Sequence, residues 1–345
     1  MTYNISIQRF GLTKKRGFMA PGLKDIAKLA NVDIGTVSHV LNNHPKAAKL
    51  RPETRKRILA AVKETGYRPN RLAQAVKSGH SRILGIISNN IGDDEFMGRI
   101  ISGVLEVLAG KGYALRVFSL TENNHNEIIR EIMEQRIEAV FFHSPGHRDF
   151  EDVQYELQKM HIPCATMDIS NRLYGIGVVS GDKEVVPELI RYALDKGYRN
   201  FCGPLKSKDI WEFQQRRSAG FAEGIAKYAA EIDQVIDFAD ADWEHLPEKC
   251  AIICQSDQQA LWILQKPHWK RDDFSSSRYG ICGFGDALMV RWGLLPLTSV
   301  NQNHREIGQN AANMLVDWLE NGNEELFNKV ENKTITSRII PRESM

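Results

Sequence analysis

Residues 23–42 read LKDIAKLANVDIGTVSHVLN, and their apolar spacing decides what the first part of the chain is. Ile26, Ala27, Leu29 and Ala30 fall on one helical face, Asn31-Val32 interrupts it, and Val37, Val40 and Leu41 resume it. Asn31 tolerates the positive φ that a sharp turn demands. Asp33 is placed to cap a second helix by accepting from its free N–H groups. Ala27 is small where two crossing helices must approach. The spacing predicts helix, short turn, helix, an arrangement suited to laying its second helix in a DNA major groove. With Val37 and Val40 inward, Ile34, Gly35, Ser38 and His39 face outward.

Working outward, Pro52 to Thr65 reads as a third helix with Arg55, Lys56, Arg57 and Lys63 outside and Ile58, Leu59 and Val62 inside. Proline suits its first turn and Gly66 its end. In GYRPNRLAQAVKSG, Pro69 blocks continuation, Asn70 can cap a new helix and Gly79 ends it. A helix that short is costly to nucleate and is expected to form only when docked, for example on DNA. The charge agrees. The chain of 345 residues has a formal charge of +2, but residues 1–81 hold 16 Lys and Arg against 4 Asp and Glu, a net of +12. The other 264 residues carry −10. A basic head on an acidic body points to a nucleic-acid- or membrane-binding module joined to something else.

Beyond Arg82 the texture changes to short β-rich runs alternating with amphipathic helices. ILGII, ALRVF, EAVFF and CATMD read as strands, with helices near 96–110, 124–135 and 149–160. A second series starts at GVVS: a helix at 182–196, RNFCG, a helix near 211–228, DQVI, AIIC, a helix at 257–265, and YGICGF. Such alternation predicts parallel sheets with helices on both faces. Two series imply two lobes, with ligands bound between them at the carboxyl ends of the strands.

The strings TVS-x-VLN and GYRPN-x-LA resemble the head and hinge of LacI/GalR-family bacterial transcription regulators. The likeness continues through MDIS (167–170), DKGYRNFCGP (195–204), RRSAGF (216–221), SDQQAL (256–261) and LPLTSVNQNHREIGQNAANML (295–315). It covers nearly all of residues 22–340. The resemblance implies an all-α helix-turn-helix head and an α/β periplasmic-binding-protein-like core of two lobes with parallel sheets. It implies a homodimer that binds a pseudo-palindromic double-stranded DNA operator and responds to a small, sugar-like effector. The implied organisation is a leader at 1–21, disordered or from a misassigned start, a DNA-binding domain at 22–69, a hinge helix and linker at 70–81, and the effector-binding and dimerisation core at 82–345.

Residue by residue, the resemblance places DNA contact on Ile34, Gly35, Thr36, Ser38 and His39, and on Asn70, Ala73 and Val76 of the hinge. His39 stands where the family has arginine, the best bidentate reader of guanine, so a different operator is expected. Val76 stands where the family inserts a leucine into the minor groove, so a weaker kink is expected. Effector contact falls on Asn89, Asp168, Arg217, Ser256, Gly285, Asp286 and Gln302. Ser256 replaces the asparagine of ANDxxA, and Gly285 replaces the first aspartate of GFDD; both losses weaken a grip on a pyranose. A buried Arg217 lacking an anionic partner would favour a carboxylate or phosphate ligand.

Other chemistry finds little support. There is no GxxxxGK[ST] loop and no GxSxG elbow, and GFGD lacks the third glycine of a dinucleotide site. His143 and His147 in FFHSPGH are expected to line the cleft rather than hold a metal. No catalytic residues, metal or cofactor are expected. The five cysteines are few and set among apolar residues, which suits reduced, buried thiols in a cytoplasmic protein. Residues 1–18 hold four basic residues but no apolar signal core, and no run of about 18 apolar residues spans a membrane. A solute-binding protein without a DNA role is the alternative reading, opposed by the basic head.

Overall fold

Asn31, at φ 49° and ψ 57°, ends helix α1 (Leu23–Ala30) in the left-handed conformation, and its N–H reaches back to the carbonyls of Ala27 and Lys28. The chain re-enters helix α2 (Ile34–Leu41) within three residues. A 3₁₀ turn (Pro45–Lys49) leads to α3 (Pro52–Thr65), which stops at Gly66, φ 65°. Ile26, Ala27, Ala30, Val37, Val40, Ala47, Ile58 and Ala61 form the core of this unit. Half of them are alanines, so the helices are held close by short side chains and a few large ones carry most of the buried area. Leu29 and Leu59, expected inside from their spacing, are 52% and 49% exposed. The three helices cover only a narrow stripe of one another, and both leucines fall beside it.

The computed structural model describes residues 21–42, 44–68, 79–89, 95–143, 149–205, 211–267, 269–270, 273–274, 278–291 and 296–345. The expected hinge contacts Asn70, Ala73 and Val76, the leader and His147 lie outside these residues. The chain divides into two compact units, Met1–Gly79 and His80–Met345. Among the described residues no helix is long and apolar enough to cross a membrane.

Among its described residues the second unit contains two six-stranded sheets. The first lobe begins with β1 (Ile83–Ser88), α4 (Glu95–Lys111), β2 (Ala114–Ser119), α5 (His125–Glu134), β3 (Ala139–His143), α6 (Asp149–Lys159), β4 (Cys164–Met167) and β5 (Gly175–Ser180). The second comprises α7 (Asp182–Asp195), β6 (Asn200–Gly203), α8 (Glu212–Lys227), β7 (Gln234–Asp237), β8 (Cys250–Ile253), α9 (Asp257–Leu264), β9 (Tyr279–Phe284), the short α10 (Leu288–Arg291) and β10 (Thr298–Asn301). The chain then returns to the first lobe as α11 (His304–Asn321) and β11 (Val330–Ile335), and crosses once more as β12 (Arg338–Ile340). Sheet orders are β11-β5-β4-β3-β1-β2 and β12-β10-β9-β8-β6-β7. Among the described residues, all pairings are parallel except β10 with β12.

GVVS therefore closes the first series instead of opening the second, because Gly175–Ser180 pairs with β4 on one side and β11 on the other. The lobes are joined by three short crossings, at 180–182, 301–304 and 335–338. Helix α11 packs tightly on α4: a side chain at Gly103 would overlap the Arg305 carbonyl, and one at Gly308 the Ile100 carbonyl. All five cysteines are buried and free, on or beside strands.

Candidate functional site

On the head, the capping of α2 shapes the surface expected to meet DNA. Asp33 accepts the Thr36 N–H at 2.8 Å and the Thr36 hydroxyl as well. These bonds favour the ionised form and hold its carboxyl below the usual range. The Thr36 hydroxyl is thus engaged within the helix start. A Cβ at Gly35 would lie 2.9 Å from Asp33 Oδ1, so the residue at 35 must be small for the cap to form. Ile34 is 42% exposed, Gly35 is exposed, and Ser38 and His39 are half-buried. The His39 ring stacks on His44 with centroids 4.6 Å apart. Sequence reasoning missed His44, which restrains the side chain standing at the family's arginine position.

In the second unit, of the expected effector residues, Asn89, Asp168, Ser256, Gly285, Asp286 and Gln302 follow the carboxyl ends of strands, where the two lobes meet, and Arg217 lies on helix α8. Asp168 follows β4 with φ 59°. It accepts the Ser180 hydroxyl at 2.8 Å, and Arg216 and His304 lie 3.4 and 3.7 Å away. Burial opposes its ionisation, but hydrogen bonding and charge from His304, with Arg216 and Ser180, outweigh burial and keep the carboxyl well below the usual range. Gln302, in the second crossing, donates to Ser180 Oγ and Asp182 Oδ2 at 3.3 and 3.1 Å.

Arg217 overturns one expectation: it has an anionic partner. Its Nε donates to Asp182 Oδ2 at 2.7 Å, and its Nη1 donates to the Gln255 carbonyl. Its guanidinium lies between the rings of Phe213 and Phe284, 4.6 and 4.5 Å from their centroids. The argument for an anionic ligand from an unpaired Arg217 therefore falls. Asp182 was missed because an acid in a first helical turn reads as an ordinary helix start.

Of the remaining residues, Ser256 and Asp286 have structural partners. Ser256 caps α9 by accepting the Gln259 N–H at 3.1 Å. Asp286 pairs with Arg291 and Arg342 at 2.7 and 2.6 Å and accepts from Asn301 at 2.9 Å. Gly285, at φ 121°, lies under the ring of Phe96. Asn89 follows β1, and its Oδ1 is buried. Among the described residues, Asn89 Oδ1, Arg216 Nε and His304 Nδ1 are buried without a hydrogen-bond partner. Arg216 and His304 were not singled out from sequence, although Arg216 adjoins Arg217. Buried His143 ends β3.

A basic helix-turn-helix unit, followed by two parallel α/β lobes meeting at a polar junction, defines a DNA-binding regulator with a ligand-sensing core. The chain belongs to the LacI family of bacterial transcription regulators. Residues 22–70 match the model of bacterial regulatory proteins of the lacI family, and residues 190–345 match that of the periplasmic binding protein-like domain. Among similar proteins is the HTH-type transcriptional repressor PurR of Vibrio cholerae, 24% identical over 325 residues, covering 86% of this chain and 91% of that one. The HTH-type transcriptional regulator RegA of Clostridium saccharobutylicum is 24% identical over 347 residues, covering 94% and 99%. In fold the chain is similar to the Lac repressor dimer bound to operator and an anti-inducer, with TM-score 0.70, 18% identity and coverage of 94% and 99%.

Proposed function

We propose that this protein is a repressor acting in the cytoplasm as a homodimer. Two heads place α2 in successive major grooves of a pseudo-palindromic operator. Ile34, Gly35, Ser38 and His39 read base edges there, with Thr36 fixing the helix start. Residues 70–81 act as hinge and linker, with Asn70, Ala73 and Val76 at the central minor groove, and residues 1–21 are a leader or stem from a misassigned start. A sugar-like effector binds between the lobes at the end marked by Asn89, Asp168, Arg217, Ser256, Gly285, Asp286 and Gln302, and alters operator affinity by about 1–3 kcal/mol.

The observation that carries the effector reading is that Arg216 Nε and His304 Nδ1, on side chains that both face Asp168, and Asn89 Oδ1, just after β1, are among the buried polar atoms left without a partner. Leaving a buried polar atom unpaired costs about 1–3 kcal/mol, and a hydroxyl-rich ligand supplies both donors and acceptors. The test has two parts. DNA selected from a randomised pool should give a gel shift whose affinity falls steeply with salt; no specific band at any salt would exclude an operator-binding protein. A panel of sugars, sugar phosphates and nucleobases should contain a compound that raises the core's melting temperature and changes the shift.

A further inference from the structure

Helix α4 of the first lobe reaches across the junction and grips one loop of the second. Phe96, in its first turn, packs against a second-lobe core that includes Ile252, Ile281 and Val290. It also stacks on His304 with centroids 4.7 Å apart and planes 20° from parallel. A Cβ at Gly285 would come within 2.9 Å of Phe96 Cε1, and the φ of 121° there is itself adverse for other residues. Glycine is thus demanded twice at the position where a family aspartate is missing. One turn on, Arg99 donates from Nη1 to the Gly285 carbonyl at 3.0 Å and from Nη2 to the Asp286 carbonyl at 2.9 Å. Its guanidinium also lies 5.4 Å from the Phe96 centroid. Glu95 pairs with Arg99 and accepts the Leu288 N–H at 3.1 Å.

A second set of contacts crosses the same junction. Glu212 of α8 accepts the N–H and hydroxyl of Ser170 at 3.0 and 2.6 Å and pairs with Arg216 at 2.7 Å. Arg216 in turn faces Asp168. The side chains of Asp168, Glu212 and Arg216 are only 15–17% exposed, so water screens these contacts weakly.

We infer that Glu95, Phe96 and Arg99, seated on Gly285 and backed by the Glu212–Arg216 contacts, form an internal clasp that holds the lobes closed through the protein's own side chains. The inference rests on the reading of residues 80–345 as the effector-sensing core. An effector then acts by competing for the 285–288 loop, instead of drawing separated lobes together. Closure in this chain is the resting state, and the ligand works against it.

Hydrogen exchange and small-angle scattering of the full-length protein, with no DNA or small molecule added, test the clasp. Phe96→Ala and Arg99→Met should each speed exchange of the Leu288 amide about tenfold or more and raise the radius of gyration. Exchange in Ile83–Ser88 and Tyr279–Phe284 should remain slow, which shows that the lobes stay folded. Gly285→Ala should open the junction too, and adding Phe96→Ala should restore part of the lost protection by removing the clash. If a glycine variant does not fold, Arg99→Met decides alone, since that side chain joins no apolar core. Wild-type exchange and scattering in Phe96→Ala and Arg99→Met would overturn the clasp. Operator binding with unaltered exchange defeats the clasp but leaves the regulator reading intact; opening without any operator binding does the reverse.

Discussion

Replacing Ile58 by alanine tests whether the head is a separate folding unit on which DNA binding depends. Ile58 is fully buried on α3 and is not itself one of the residues expected to meet DNA, so the substitution leaves every expected base contact chemically unchanged. It removes three carbons, about 2.4 kcal/mol at ~0.8 kcal/mol per buried methylene. The cavity left behind brings the cost into the range of about 2–5 kcal/mol. Alanines fill half of the head core and cannot move to fill the gap. A unit of this size has a total stability of only about 3–5 kcal/mol. A loss near 3 kcal/mol shifts its folding equilibrium by roughly a hundredfold, and apparent operator affinity falls with the folded fraction. Calorimetry should show the transition of the head lowered and that of residues 80–345 unmoved, while gel-shift titration shows weakened binding. Leu59→Ala, one residue on and half exposed, is the control and should cost within about 0.5 kcal/mol. Equal effects of the two substitutions on the head transition, or no lowering of that transition by Ile58→Ala, would refute the packing argument.

Three further outcomes are expected. His39→Arg should change the preferred base at one position in each half-site towards guanine by about 1–3 kcal/mol, measured by selection from randomised DNA; an unchanged preference would remove His39 from the reading surface. Arg217→Met should destabilise the core by about 3–5 kcal/mol in denaturant titration without any ligand, because Asp182 is left buried without its cation. A loss of effector response with no loss of stability would instead make Arg217 chiefly a ligand clamp. The depressed Asp168 carboxyl gives an acid limb to core stability. Its contribution is complete above the ordinary carboxyl value of 3.8 and is lost as pH falls below that towards the lowered folded-state value. Asp168→Asn should flatten this limb in pH-dependent melting curves, and an unaltered limb would assign it to other groups.

Local pattern carried much of the fold. The helix-turn-helix was legible because each of its signals, the apolar stripe, a turn asparagine and a capping aspartate, acts within a few residues. The alternating strands and helices of the core were legible for the same reason. Leu29 and Leu59 were misplaced because periodicity locates a face to within a residue or so, and only neighbouring helices decide how wide the buried stripe is. GVVS was assigned to the wrong series because a buried strand carries no mark of which sheet it enters. The partner that settles its place, Val330–Ile335, lies about 155 residues further on.

The site divides along the same line. Sequence by itself determined that a basic, DNA-reading head precedes a two-lobed sensing core, because those conclusions rest on residue type, short spacing and charge. It also exposed the departures at His39, Ser256 and Gly285. Tertiary structure alone decided what the departures do. Asp182 neutralises Arg217 across 35 residues, and Phe96 fills the space above Gly285 across 189 residues. Contacts over such separations depend on how lobes and crossings bring strand ends together, and no local pattern records that.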